Sequence, residues 1–421
     1  MGKRILVCTL MVLVVLALAF AGASLLFSAR YDNLTQETSS STEEASSLPA
    51  ELPAQAPENA AAAAAALPDT SNMSFTPEDI LSRMTPEEKI CQLLFVTPEA
   101  LTGQETVTLW NDDAMDSLSQ YPVGGLIFFS GNLETADQTR GMLSAITEQA
   151  RTLTASGIFL GLDEEGGSVS RATPLGVTAY KDMKVYGKNG DPEAAYAIGQ
   201  TLGAQLKKLG FNLDFAPVAD VLTNEENTVV ADRSFGSDPA LVASMVSREV
   251  AGFEAAGMLS SPKHFPGHGS TSGDTHEGLA DTDRSLEELR TCDFLPFQAA
   301  IDAGAPMIMV GHITMSALDA DTPASMSQTI VTQLLREELD YDGIIITDAV
   351  DMDAISDKYT PAEAVVQALA AGCDMVLCPT NLSDVIQAVE NAITSGTLSQ
   401  NNIDQSVLRV LSAKTRYGII S

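Results

Sequence analysis

A parallel α/β fold is what this sequence predicts, and three observations lead there. Eight short apolar runs recur along the chain, stretches of helical period separate them, and polar clusters follow nearly every run. The runs are Ile90–Val96, Gly125–Phe129, Ile158–Leu162, Leu213–Val218, Met258–Lys263, Met307–Val310, Gly343–Thr347 and Met375–Leu377, and at these lengths they read as buried strands. The stretch after Thr380 illustrates the helical period: Ser383 is placed to cap, with Val385, Ile386, Val389, Ala392 and Ile393 on one face. The alternating region runs from Phe75 to the last residue. Its roughly 345 residues fall within the range of a (β/α)₈ barrel with insertions. A doubly wound sheet produces a similar pattern, and either fold puts its site at the carboxyl ends of the strands.

The segments before Phe75 carry other signals. Gly2-Lys3-Arg4 precedes an apolar run from Ile5 to Phe27, a basic start followed by an apolar stretch as export segments have. The run is long enough to cross a bilayer, and Ala19, Ala21 and Ala23 offer small-residue cleavage sites. Residues 1–30 therefore read as a signal peptide or a membrane anchor, with the rest of the protein exported or held at the outer face of the membrane. Residues 31–74 are rich in Ser, Thr, Glu, Ala and Pro, with Ser39-Ser40-Ser41 and alanine from Ala60 to Ala66, and read as a flexible linker.

Charge and cysteine content exclude several classes. With 23 basic against 56 acidic residues, the formal net charge is −33. Such a field repels nucleic acid and suits an uncharged or weakly charged ligand. Cys8, Cys91, Cys292, Cys373 and Cys378 lack zinc-ribbon spacing and are too few for a disulfide framework. Cys373 and Cys378 flank one strand and read as small buried hydrophobes. No metal or organic cofactor is implied.

Four segments carry candidate chemistry. Three of the four histidines, His264, His268 and His276, fall between Ser261 and Leu279, a Gly-, Ser- and Thr-rich segment expected to be a long mobile loop. Asp274 stands two residues before His276, where a carboxylate can orient the imidazole and stabilise its protonated form, as a general acid–base requires near neutral pH. A polar loop whose histidines only bond to backbone is the blander reading. A metal site is a third, although Phe265-Pro266-Gly267 argues against one helix through His264 and His268. The second segment, Gly343-Ile-Ile-Ile-Thr-Asp348, ends a buried run in a carboxylate, where a nucleophile sits on a barrel. Asp351 and Asp353 compete for that role or begin the next helix. In the third, Asp163-Glu164-Glu165-Gly166-Gly167 crowds acids at a strand end before two glycines, suited to hydroxyl recognition with close backbone approach, or else a bare Gly-Gly turn with solvated acids. The fourth is Arg233-Ser-Phe-Gly236.

Together these residues resemble glycoside hydrolase family 3, in particular its NagZ-like β-N-acetylglucosaminidase branch, from Phe75 to the C-terminus. The resemblance is carried by Lys263-His264-Phe-Pro-Gly-His268-Gly followed by Asp274-Thr-His276, with Asn212-Leu-Asp-Phe-Ala-Pro-Val218, Arg233-Ser-Phe-Gly236 and Thr347-Asp348 in order. It implies a single (β/α)₈ barrel over 75–421, with Asp348 as nucleophile and His276, assisted by Asp274, as acid–base. It further implies that Asp163, Arg233, Lys263 and His264 hold the terminal sugar. Ser168 stands where the family commonly has Arg, and Ser270 where Asp usually follows His-Gly. The implied reaction is retaining release of terminal β-linked N-acetylglucosamine through a glycosyl-Asp intermediate, from peptidoglycan fragments or related glycans. The alternatives are a phosphorylase using phosphate in place of water, a non-catalytic carbohydrate-binding protein and a metal-dependent deacetylase.

Overall fold

The computed structural model describes residues 75–153, 155–272 and 280–420. The segment Ile5–Phe27, the linker 31–74, and Asp274 and His276 all lie outside the described residues. Among the described residues, no helix is long and apolar enough to cross a membrane.

Among the described residues ten strands form, in chain order: β1 Leu94–Val96, β2 Gly125–Ile127, β3 Phe159–Leu162, β4 Leu213–Asp214, β5 Leu259–Ser260, β6 Ala280–Thr282, β7 Met307–Val310, β8 Ile313–Met315, β9 Ile344–Ala349 and β10 Met375–Leu377. Eight of them make one parallel sheet in the order β5-β4-β3-β2-β1-β10-β9-β7. The first strand lies mid-sheet between β2 and β10, as in a sheet curling onto itself. Closure comes from the chain just past β5. Met309 N–H donates to the Pro262 carbonyl at 3.0 Å, Phe265 N–H to Met309 at 2.8 Å, and Gly311 N–H to Phe265 at 2.9 Å. The result is a (β/α)₈ barrel, and the doubly wound alternative falls away.

The eight apolar runs of the sequence coincide with the eight barrel strands, but their ends differ. Ile90–Gln92 close a helix, Pro86–Gln92, because Thr85 and Glu88 form a capping box around Pro86 at the first helical position. β4 and β5 stop short of Val218 and Lys263, since Pro217 and Pro262 have no N–H to give a ladder. The parallel pair β6–β8 is an addition to the barrel, and Ala280-Asp-Thr282 has no apolar alternation to announce it. The helix after β10 is Leu382–Ser395, with Asn381 rather than Ser383 at its N-cap, in a left-handed conformation. Its face is as expected, with Val385, Ile386, Val389 and Ala392 buried.

Aromatic rings fill the barrel. Phe95 lies edge-on to Phe215 with centroids 5.3 Å apart, and it leaves no room for a side chain at Gly125, where a Cβ would sit 2.5 Å from its ring. At the amino-terminal end Lys414, on the C-terminal helix Gln400–Arg416, donates to Gln92 Oε1 at 2.8 Å and the Gly157 carbonyl at 3.0 Å. Outside the barrel the helices Pro192–Leu209 and Pro239–Ala256 meet through glycines. A Cβ on Gly199 would come 2.3 Å from the Glu249 carbonyl, and one on Gly252 2.2 Å from that of Tyr196. Cys91, Cys373 and Cys378 are buried free thiols, and Cys292 is a partly exposed one.

Candidate active site

The carboxyl ends of the strands surround a cavity of about 280 Å³ whose wall includes Asp163, Glu165, Arg233, Lys263, His264 and Asp348. Five residues singled out in the sequence thus meet around one space: Asp163, Arg233, Lys263, His264 and Asp348. Each arrives on a different piece of backbone or from an adjacent pair. Asp163 follows β3, Arg233 lies beyond β4, Lys263 and His264 sit on the extension of β5, and Asp348 is in β9.

Glu165 ties the cations together. Its Oε2 accepts from Arg233 Nε at 2.8 Å and its Oε1 from Arg233 Nη2 at 2.7 Å, while Lys263 Nζ reaches Oε1 at 2.8 Å. Lys263 Nζ also donates to Asp163 Oδ1 at 2.5 Å. Burial opposes ionisation of Glu165, but Lys263 and Arg233 overcome it and hold the carboxyl well below its ordinary range. Burial likewise disfavours the Lys263 ammonium, yet Asp163 and Glu165 raise its pKa above the usual lysine value. Glu165, Arg233 and Lys263 are therefore all charged, and Asp163 and Lys263 both line the cavity.

Asp220 performs a similar task for the histidines. Its Oδ2 pairs with His264 Nδ1 at 2.8 Å, and its Oδ1 accepts from the backbone N–H of His264 at 3.2 Å and of His268 at 2.6 Å. His264 Nε2 then faces Arg233 Nη2 at 3.4 Å. Far from being a mobile loop, the described part of this segment is buried: Lys263 and His268 are each 2% exposed and Phe265 not at all. His268 Nδ1 lies 2.9 Å from Thr271 Oγ1, and burial lowers the pKa of its ring. The His264–His268 spacing is thus spent on Asp220 and Thr271. Among the described residues, no group of three or more His, Cys, Asp and Glu side chains is arranged to hold a metal ion.

Asp348 sits in the cavity wall, with Oδ1 accepting from the Ala349 N–H at 2.8 Å. Burial pushes its pKa up, but His264, the Ala349 N–H and Lys263 together pull it below the usual carboxylate value. It is an ionised, fixed carboxylate facing the cluster of Asp163, Glu165, Lys263 and Arg233. Its competitors point elsewhere in role: Asp353 opens the short helix Asp353–Ser356, and Asp351 is exposed at the rim.

Several contributors escaped the sequence reading. His312, fully buried after β7, donates from Nε2 to the Ala349 carbonyl at 2.9 Å, so its Nδ1 is the acceptor for Ser325 Oγ at 2.8 Å. Burial keeps this ring neutral by lowering its pKa, and it pins the peptide that follows Asp348. Arg171 lines the cavity with a buried Nε that has no hydrogen-bond partner among the described residues. Asp214 in β4 accepts from Glu164 N–H at 2.9 Å, and burial raises its pKa well above the ordinary carboxyl value. Asp220 had a legible signal, an acid just past a strand run; His312 offered only its rarity. At the two departures from the family pattern, Ser168 gives its N–H to Asp182 Oδ1 at 3.0 Å and Ser270 Oγ bonds Thr282 Oγ1 at 3.1 Å.

A closed parallel barrel holding an ionised carboxylate opposite a charged wall has the architecture of a glycoside hydrolase. The family model for the glycosyl hydrolase family 3 N-terminal domain matches residues 85–413. The chain belongs to glycosyl hydrolase family 3. Among its relatives, β-hexosaminidase A of Pseudoalteromonas piscicida is 36% identical over 325 residues, 71% of this chain and 54% of that protein. β-Hexosaminidase LpqI of Mycobacterium tuberculosis is 34% identical over 347 residues, 80% of this chain and 85% of that protein. The solved structure of a family 3 β-N-acetylglucosaminidase from Paenibacillus sp. FPU-7 superposes with a TM-score of 0.75 at 34% identity, covering 80% of this chain and 64% of that one. The chain thus spans about half of the Pseudoalteromonas protein and most of the mycobacterial one.

Proposed function

We propose that this protein is a retaining exo-β-N-acetylglucosaminidase that releases terminal β-linked N-acetylglucosamine from peptidoglycan fragments or related glycans. The observation that carries the reading is the ionised Asp348, held across one cavity from Asp163, Lys263, Arg233 and His264. In the first step Asp348 attacks the anomeric carbon, and His276, oriented by Asp274, protonates the departing oxygen. In the second, His276 deprotonates a water that attacks C1, and the Asp348–sugar bond breaks. Asp163 and Lys263 hold hydroxyls at the far end of the ring, and Glu165 keeps Lys263 and Arg233 charged and in place. His264, braced by Asp220, completes that wall. The names of the relatives support the sugar preference. The basic start and the apolar run Ile5–Phe27 support an exported or membrane-held enzyme.

The test is turnover of an aryl β-N-acetylglucosaminide against the matching β-glucoside by the whole chain, with and without phosphate. The proposal expects preference for the acetylated sugar, free sugar as product at all phosphate levels, and loss of turnover in His276→Ala. Equal use of the glucoside overturns the sugar assignment, and sugar 1-phosphate as product replaces hydrolysis by phosphorolysis.

A further inference from the structure

Against the turn His264–His268 lies a buried ion pair that the reaction proposed above does not use. Arg284, just past β6, sets its Nη2 3.0 Å from Asp293 Oδ2, and the Asp293 side chain is fully buried. Nε and Nη2 of Arg284 and both oxygens of Asp293 are buried without a well-formed hydrogen bond. Charge therefore holds the pair. Neutralising Asp293 leaves the guanidinium only the exposed Glu288, whose Oε1 is 3.8 Å from Nη1.

The pair touches the turn at its middle. A Cβ on Gly267 would lie 2.9 Å from both Cβ and Oδ1 of Asp293, so the carboxyl group rests on the Gly267 backbone. The residues after Asp293 continue the contact. Phe265 stacks on Phe294 with centroids 5.3 Å apart and meets Phe297 edge-on at 5.2 Å. Asp220 takes the amides at the two ends of the same turn, those of His264 and His268. Two acids thus hold one turn, Asp220 by directed hydrogen bonds and Asp293 by contact and charge.

We propose, on the sugar-binding role given above to the cavity wall, that Arg284 and Asp293 are positioning residues: the charged pair braces the middle of the turn, and Lys263 and His264 keep their places in that wall only while both charges are present. A pH dependence follows. Burial pushes the Asp293 carboxyl up to about 7, with Arg284 pulling against that and Asp220 adding to it. The other groups around it are Glu288, which faces Arg284, the Cys292 thiol, whose pKa burial raises, and His264 and His268, which Asp220 holds. Asp293 is ionised above about pH 7 and neutral below it, so the brace is present on the alkaline side.

The experiment measures the affinity of the whole chain for free N-acetylglucosamine by ligand-observed NMR between pH 6 and pH 8. Affinity follows the population of the braced form, so wild type is expected to bind about tenfold more weakly at pH 6 than at pH 8. Asp293→Asn keeps the shape and removes the charge. It is expected to bind about tenfold more weakly than wild type at pH 8, with no further loss at pH 6. Arg284→Met combined with Asp293→Leu separates bracing from mere stability. An apolar pair of similar size should hold the Tm near or above that of wild type, while affinity stays weak and flat with pH. Wild-type affinity that does not change with pH overturns the proposal, as does full affinity at pH 8 in either variant. A pH slope retained in Asp293→Asn belongs to another group and overturns it as well. Absence of binding by wild type at any pH contradicts instead the sugar-binding role of the wall, and the brace falls with it.

Discussion

Glu165 neutralises two cations in a place where water reaches none of them well, and its carboxylate is where the binding wall is most vulnerable. Replacing it by Gln keeps the shape but leaves Lys263 with Asp163 alone and Arg233 without its two-pronged partner. Loss of one member of a buried charge cluster costs about 3 kcal/mol. Glu165→Gln is expected to lower the denaturation midpoint and raise KM more than it lowers kcat, read by denaturant titration and steady-state kinetics. His312 makes the opposite prediction. It touches the Ala349 carbonyl, not the cavity, so His312→Ala should lower kcat about tenfold with KM little changed, through a misplaced Asp348. Rescue by His312→Gln, whose amide can give the same hydrogen bond, separates positioning from mere packing. Of these residues, the sequence exposed those standing in compact motifs at strand ends: Asp163, Lys263, His264 and Asp348. Asp220 carried only the weak signal of an acid just past a strand run, and His312 acts through the Ala349 carbonyl with no motif of its own, so the folded arrangement identifies their work.

Between residue and barrel lie the elements that aim the site. Arg233 sits on a turn that rests against the helix Met183–Asn189, and contact is close enough that a Cβ on Gly187 would fall 1.6 Å from the Phe235 carbonyl. Gly187→Ala must therefore displace that turn. It is expected to destabilise by about 1–3 kcal/mol and to weaken substrate binding together with stability. Gly252→Ala, where the helices Pro192–Leu209 and Pro239–Ala256 cross, should cost a similar amount while leaving KM alone, because no cavity residue lies on that crossing. Thermal melts of both variants beside their KM values separate the two cases. Strand identity was legible because buried parallel strands are continuous apolar runs. Strand ends were not, because proline positions and a capping box at Thr85 set them. The pair β6–β8 was invisible because β6, Ala280-Asp-Thr282, carries no apolar pattern and β8 is only three residues long.

At the scale of the whole molecule, acidity is distributed unevenly between surface and interior, and one interior acid gives a pH signature. Glu249 is fully buried on the helix Pro239–Ala256; burial raises its carboxyl to a pKa of about 8, and Glu165 adds to the effect. A carboxyl whose folded pKa lies above its unfolded value is neutral in the native state. Its contribution is complete below the ordinary value near 4.5 and is lost as pH rises through about 8. Glu249→Gln removes that loss, so its Tm relative to wild type should climb by several degrees between pH 5 and pH 8 and then level off. A constant difference across that range would place the ionisation elsewhere. The closed barrel itself was half legible: the count and spacing of eight runs fit it, while a doubly wound sheet stayed open until the bonds between Phe265 and Met309 joined the edges. The account as a whole turns on Asp348 forming a bond to the sugar. The measurement that tests this most directly is peptide mapping by mass spectrometry after exposure to a fluorinated, activated N-acetylglucosaminide that slows the second step. The prediction is one sugar attached at Asp348, with no attachment in Asp348→Asn and turnover of unmodified substrate down on the order of 10⁴-fold. A sugar bound to another residue, or Asp348→Asn working at near the wild-type rate, would contradict it.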